Sequence, residues 1–175
     1  MEQISFVFQE VHLFKKSIRD NIRAARPNAT EEEILQAAQL AQCGDILEKI
    51  PGGLDAVIGA KGVYLSGGEM QRIALARAIL KDAPIVVLDE ASSFADPENE
   101  VKIQKAFEVL MKGKTVLMIA HRLSTVRRMD RILVIKKGVV VEEGKHDELI
   151  EKGGVYASMW EEYQSAAQWK VGGEE

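Results

Sequence analysis

Along the 175-residue chain the spacing of apolar positions changes character twice. Ile4-Ser5-Phe6-Val7-Phe8 is dense in β-branched and aromatic residues and stops at Gln9-Glu10. This predicts a short strand with Gln9 just past its end. From Ser17 to about Ile50 the spacing is helical. Thr30-Glu31-Glu32-Glu33 forms a capping box, Ile34, Leu35, Ala38 and Ala41 follow on one face, and Cys43-Gly44 is expected to close the run. Pro51-Gly52-Gly53 predicts a break, and Gly59 and Gly62 keep the chain loop-like until Ser66 opens a second helix to about Leu80.

Beyond that helix, apolar strands alternate with amphipathic helices, which predicts a parallel sheet built from strand-helix-strand crossovers. Residues 85–89 and 115–119 are the clearest strands, and being apolar throughout they are expected to be covered on both faces. Asp96 as N-cap and Pro97 at the first helical position open a helix to about Met111. Ile132 to Ile135 and Val139 to Val141 flank Lys136-Lys137-Gly138 as a hairpin. Two further helices are predicted from about His146 and Val155, and a frayed tail from Val171 to Glu175. No internal repeat or low-complexity segment interrupts this order.

Composition narrows the picture: 46% hydrophobic and 29% charged residues are ordinary for one globular domain. A formal net charge of -4 argues against binding nucleic acid through an overall positive excess. A single cysteine, Cys43, excludes an internal disulfide, and His12, His121 and His146 are too far apart for a metal cluster of familiar spacing, so a reducing, cytoplasmic setting is expected. The longest apolar runs, Ala83 to Leu88 and Thr115 to Ala120, fall far short of the roughly 20 residues of a membrane-spanning helix. No secretory signal pattern opens the chain, which reads as beginning mid-domain.

Three segments carry candidate chemistry. In Leu65-Ser66-Gly67-Gly68-Glu69, Ser66 can cap a helix while Glu69 reaches back, and the glycines let a ligand approach backbone N–H groups at a positive helix end. An anion site and a plain capping box with a tight turn both fit these five residues. Asp89 and Glu90 follow the apolar run Ile85 to Leu88, at the strand end where open α/β sheets place ligands. In nucleotide hydrolysis the first would hold Mg²⁺ through its water shell and the second would orient and deprotonate water; a solvated acidic turn is the plainer alternative. His121 ends the next strand at the same edge, where it offers a donor to phosphate or caps a helix starting near Ser124. Gln9 would stand beside them.

Taken in order, Gln9, Leu65 to Glu69 with Gln71-Arg72, Val86-Val87-Leu88-Asp89-Glu90-Ala91, Ser93 to Asp96 and His121 resemble an ABC ATPase read from its Q-loop onwards. Phe8-Gln9-Glu10, Leu13-Phe14 and Ser17-Ile18-Arg19-Asp20-Asn21-Ile22 resemble the exporter branch, in which this segment faces the coupling helices of a transmembrane domain. The resemblance implies an α/β fold: part of a P-loop NTPase-like parallel sheet with an inserted α-helical signature subdomain at about 10–82, core at about 83–165 and a tail at 166–175. It also implies roles. Gln9 would be the Q-loop residue joining metal and water to the membrane domain. Leu65, Ser66, Gly67, Gly68 and Glu69 would form the signature that reaches, in trans, the ATP of an opposing subunit. Asp89 would be the Walker B acid on Mg²⁺, Glu90 the general base, Asp96 the D-loop acid at the dimer interface, and His121 the switch histidine. ATP, Mg²⁺, a second nucleotide-binding domain and a transmembrane domain at the cytoplasmic face of the membrane are the implied ligands and partners.

The chain departs from the family pattern at three points. No G-x-x-x-x-G-K-[ST] stretch occurs, and Gly113-Lys114 and Gly144-Lys145 lack its spacing and context. The D-loop reads Ser93-Phe94-Ala95-Asp96 where the family usually has Ser-Ala-Leu-Asp, and Val57 stands where exporters usually carry a glutamate. The chain alone is therefore expected not to turn over ATP. A non-catalytic module that supplies the signature in trans, or docks a membrane partner through Gln9 to Ile22, is the alternative expectation.

Overall fold

A computed structural model describes residues 3–59, 62–89, 97–120 and 123–171, with side chains through residue 165. The chain divides into two compact units, Met1–Ile119 and Ala120–Glu175.

The first unit is built on a three-stranded parallel sheet of β1 (Ile4–Val7), β2 (Ile85–Asp89) and β3 (Thr115–Ile119), in the order β1-β2-β3. Ser5 lies beside Val86 and Val86 beside Val116, while Val7 lies beside Leu88 and Leu88 beside Met118. Because side chains alternate along a strand, these two rows share one face, and that face enters the main core with Ile73, Ile103, Phe107 and Leu110. Full burial of a side chain such as Leu88 or Ile73 contributes about 1.5–3 kcal/mol over leaving it exposed. The opposite row, Phe6, Val87 and Leu117, behaves differently: Phe6 is 46% and Leu117 57% exposed. The expectation of two covered faces is therefore corrected for β3, which alternates between exposed and half-buried positions. Only the face carrying Val116 and Met118 packs against the core, while Leu117 and Ile119 on the other face stay exposed, a distinction its uniformly apolar composition cannot carry.

The helices follow from their caps. α1 (Ile18–Arg23) starts at Ser17, whose hydroxyl accepts from the Asp20 N–H at 3.0 Å. α2 (Glu31–Leu40) starts with the expected capping box, Thr30 and Glu33 bonding reciprocally at 3.2 and 2.8 Å. The helical run then breaks at Gln42, which takes a left-handed φ of 60°, and Gly44 opens α3 (Gly44–Lys49) instead of closing α2. A single 3-10 turn at Gly53–Asp55 follows Gly52, whose φ of 89° suits only glycine without strain. α4 (Gly67–Lys81) packs against α1, α2, β1 and α5 (Pro97–Met111). Contacts on several sides explain why α4 buries Ile73, Leu75, Ala76, Ala78 and Leu80 with little amphipathic bias. α5 shows the ordinary pattern, with Ile103, Ala106, Phe107 and Leu110 facing inward at helical spacing. Cys43 is fully buried in this core, and burial pushes its thiol up to about 12, so it stays protonated and inert at neutral pH.

The second unit contains a short helix α6 (Leu123–Val126), an antiparallel hairpin of β4 (Ile132–Lys136) and β5 (Val139–Gly144), then α7 (His146–Glu151) and α8 (Val155–Val171). Lys137 and Gly138 turn the hairpin with φ of 53° and 80°, the positive pair that matches the twist of a two-residue loop. Glu142 caps α8, its carboxylate accepting from the N–H of Val155 at 2.6 Å and of Tyr156 at 2.9 Å. His146 is held by Tyr156, 2.8 Å from its Nδ1, and lies edge-on to Trp160 at 4.5 Å between ring centres. This histidine is a buried structural group.

Candidate functional site

Ser66 is the N-cap of α4 and is exposed, as is Gly67. The predicted capping box is present: the Glu69 N–H donates to Ser66 Oγ at 3.3 Å and the Ser66 N–H donates to Glu69 Oε2 at 2.7 Å. The Met70 N–H bonds the Ser66 carbonyl at 2.9 Å, so the Gly67 and Gly68 N–H groups lie in the first turn, ahead of the helix's own ladder. Lys49 reaches the other Glu69 oxygen at 3.2 Å. Burial works to raise the Glu69 carboxyl, but the bonds from Ser66 and Lys49 prevail and hold it below the usual range. The helix end therefore combines an exposed hydroxyl, first-turn amides and a neutralised carboxylate. A cavity of about 510 Å³ opens beside it, lined among others by Ser66, Gly67, Gly68 and Lys102.

Beneath this end sits a polar platform that sequence reasoning missed. Arg72, 1% exposed, donates to Asp45 on α3 at 2.6 and 3.2 Å, to Asn99 Oδ1 on α5 at 2.9 Å and to the Gln42 carbonyl. Asp45 also receives Lys102 at 2.9 Å. The available signal was a single arginine among inward-facing residues of a helix, a charge that is almost never fully buried unless paired. Its partners, distant in sequence, were not readable.

The strand ends are brought to one edge as predicted. All three strands are parallel, Val7 pairs with Leu88, and Asp89 closes β2 beside Ile119. Asp89 is half-buried there, and Gln9 is exposed in the bend two residues past β1. One half-buried carboxylate at a strand end suits Mg²⁺, which keeps several waters and takes one or two protein carboxylates plus phosphate. Glu90, Asp96 and His121 lie outside the described residues. Among the described residues no group of three or more His, Cys, Asp or Glu could hold a metal ion by itself.

The segment from Gln9 to Ile22 is fixed from below. Asn21, fully buried, accepts from the Phe14 N–H at 2.7 Å and donates to the Phe14 carbonyl at 3.0 Å. Arg77 on α4 donates to the Asn21 carbonyl at 2.8 Å and lies 5.4 Å from the centre of the Phe14 ring. Phe14 stays 55% exposed, and an isolated antiparallel bridge joins Ser17 to Val57. Residues 14, 17 and 57 thus belong to one local surface.

Among the described residues no helix is long and apolar enough to cross a membrane. The family model described as ABC transporter matches residues 1–93. The chain is 50% identical over 163 residues, 90% of its length, to an uncharacterized ABC transporter ATP-binding protein of Haemophilus influenzae, covering 26% of that protein. It is 50% identical to the ATP-dependent lipid A-core flippase of Haemophilus ducreyi, with 91% of the chain and 28% of the flippase covered. To the flippase of the same name from Vibrio vulnificus it is 52% identical, with 90% and 27% covered. The chain spans about a quarter of the length of these curated relatives. A family match over more than half the residues shows that the chain belongs to the ABC transporter family.

Proposed function

We propose that these residues form part of the nucleotide-binding domain of an ABC exporter, in which ATP hydrolysis between two head-to-tail domains drives transport through a transmembrane partner. The observation that carries this reading is the pairing of an exposed, capped Ser66-Gly67 helix end with Asp89 at the end of a central parallel strand. In this reading Ser66 and the Gly67 and Gly68 amides bind the γ-phosphate of ATP held by the opposing domain. Asp89 and Gln9 would hold Mg²⁺, Glu90 would take the proton of the attacking water, His121 would donate to phosphate, and Asp96 would lie at the dimer interface. Bound Mg²⁺ supplies charge neutralisation for the phosphates.

The names of the similar flippases support export and make an amphipathic lipid the first substrate class to test, although the membrane segments would select it. The surface around Phe14, Ser17 and Val57 is the proposed docking site for the transmembrane domain, which would place the chain at the cytoplasmic face of the membrane. Residues 10–82 act as the signature subdomain and 83–165 as part of the core. The 175 residues contain no phosphate-binding loop sequence, and by themselves they hydrolyse no ATP. In a transporter containing these residues, Glu90→Gln is expected to retain ATP binding and lose turnover. Unchanged turnover, or Glu90-dependent hydrolysis by the isolated chain, would refute the reading.

A further inference from the structure

Asn99 stands three residues after Asp96 in sequence, near the start of α5, yet its side chain lies under the start of α4. A methyl group added at Gly68 would come within 3.1 Å of both Cβ and Cγ of Asn99, tighter than ordinary packing. Gly68 is itself buried, while Ser66 and Gly67 beside it are exposed. The Asn99 Oδ1 atom accepts from Arg72 Nη2 at 2.9 Å, and the same guanidinium is anchored by Asp45. Two helix starts far apart in sequence therefore hold the start of α4, α3 through Asp45 and α5 through Asn99.

From this contact we infer that Asn99 is a positioning residue for the Ser66-Gly67-Gly68 phosphate-facing turn. Through Arg72, it ties that turn to the first turn of α5, the helix that follows Asp89 in sequence. The inference rests on the trans-site reading above. Its physical basis is that first-turn amides bind an oxyanion only when held at hydrogen-bond distance, so a support that fixes the turn raises affinity without touching the anion. In the head-to-tail arrangement the Ser66 turn serves one nucleotide and the Asp89 strand serves the other. The Asn99 contact then links the two sites through a single domain: a shift at the start of α5 moves Arg72 and with it the Gly68 backbone.

Two substitutions separate positioning from folding. Asn99→Asp keeps shape and the Oδ1 acceptor, whereas Asn99→Leu keeps size and loses the acceptor. Binding of the 175-residue chain to a complete ATP-loaded cassette domain made hydrolysis-deficient is measured by calorimetry, alongside thermal unfolding and the amide resonances of Gly67 and Gly68 in the chain alone. Asn99→Leu is expected to weaken association about tenfold, the scale of one hydrogen bond to a charged group, and to shift the Gly68 resonance. Asn99→Asp should stay within about twofold of the original chain. Wild-type association and Gly68 resonance in Asn99→Leu would overturn the inference, as would equal weakening by both variants. If the unsubstituted chain does not associate at all, the trans-site reading fails, and the Gly68 resonances of the two variants still decide whether Asn99 positions the turn.

Discussion

Arg72 and Asp45 meet in a two-pronged ion pair, 2.6 Å between Nη1 and Oδ1 and 3.2 Å between Nη2 and Oδ2, with the guanidinium buried and the carboxylate half open to solvent. Burial works to raise the Asp45 carboxyl, but the bonds from Arg72 and Lys102 outweigh it and bring it from 3.8 to about 2. A folded-state value below the unfolded one means that the native state binds fewer protons. Stability from this pair is present above about pH 4 and lost as pH falls towards about 2. Urea unfolding of the chain should lose midpoint concentration across this window, and Asp45→Asn should lose less. Parallel curves for the two proteins would contradict the assignment.

Arg72→Lys tests whether charge or fork geometry matters at that position. A lysine cannot make the paired bonds to Asp45 while also reaching Asn99 and the Gln42 carbonyl, so a loss of about 2 kcal/mol is expected in chemical unfolding. A change below about 0.5 kcal/mol would show that a point charge suffices.

The capping box at α4 predicts a particular non-additivity. Ser66→Ala and Glu69→Ala should each cost about 1 kcal/mol, because each removes one of two reciprocal bonds at the same helix end. The double variant should cost less than the sum, since the bonds support each other's geometry. Strict additivity in denaturant midpoints would mean that they act independently.

Asn21 offers a test of the surface around Phe14. Asn21→Ala removes both bonds to the Phe14 backbone and a 2.9 Å bond to the Ser17 carbonyl, with an expected cost of about 2–4 kcal/mol. The Phe14 amide should lose hydrogen-exchange protection in proportion. Phe14→Ala, at a half-exposed ring, should cost under about 1.5 kcal/mol and, on the proposed docking role of this surface, weaken binding to a transmembrane partner.

In the second unit, Gly138 has a φ of 80° and open space around it, so Gly138→Ala should cost about 1 kcal/mol through backbone strain alone. Lys137→Gly, at a φ of 53°, should gain a few tenths of a kcal/mol or more. Calorimetric melting temperatures moving in opposite directions would bear this out.

The elements legible in the sequence were those with local causes. The Ser66/Glu69 and Thr30/Glu33 boxes, Pro97 at a helix start and the Lys137-Gly138 turn are written within four residues of where they act. The strand pairing was legible as parallel because apolar runs alternate with helices, and that placed Asp89 correctly at a strand end. Other features depended on distant partners. The sequence could not distinguish a strand covered on one face from one covered on two, so the open row through Phe6 and Leu117 escaped it. Gly44 was expected to stop a helix and instead starts one, because Gln42 takes the left-handed position that a glycine would normally fill. Arg72, Asn99 and Asn21 depend on distant partners: Arg72 reaches the Gln42 carbonyl across 30 residues and Asn99 across 27, and Arg77 reaches Asn21 across 56.

The central claim is that Ser66 serves a nucleotide held by another domain. The most direct measurement is ATP turnover by a complete cassette domain carrying an inactivated signature serine, mixed with this 175-residue chain. The account predicts that the chain raises turnover and that Ser66→Arg abolishes the gain. A mixture with no gain, or a gain indifferent to Ser66→Arg, would contradict it.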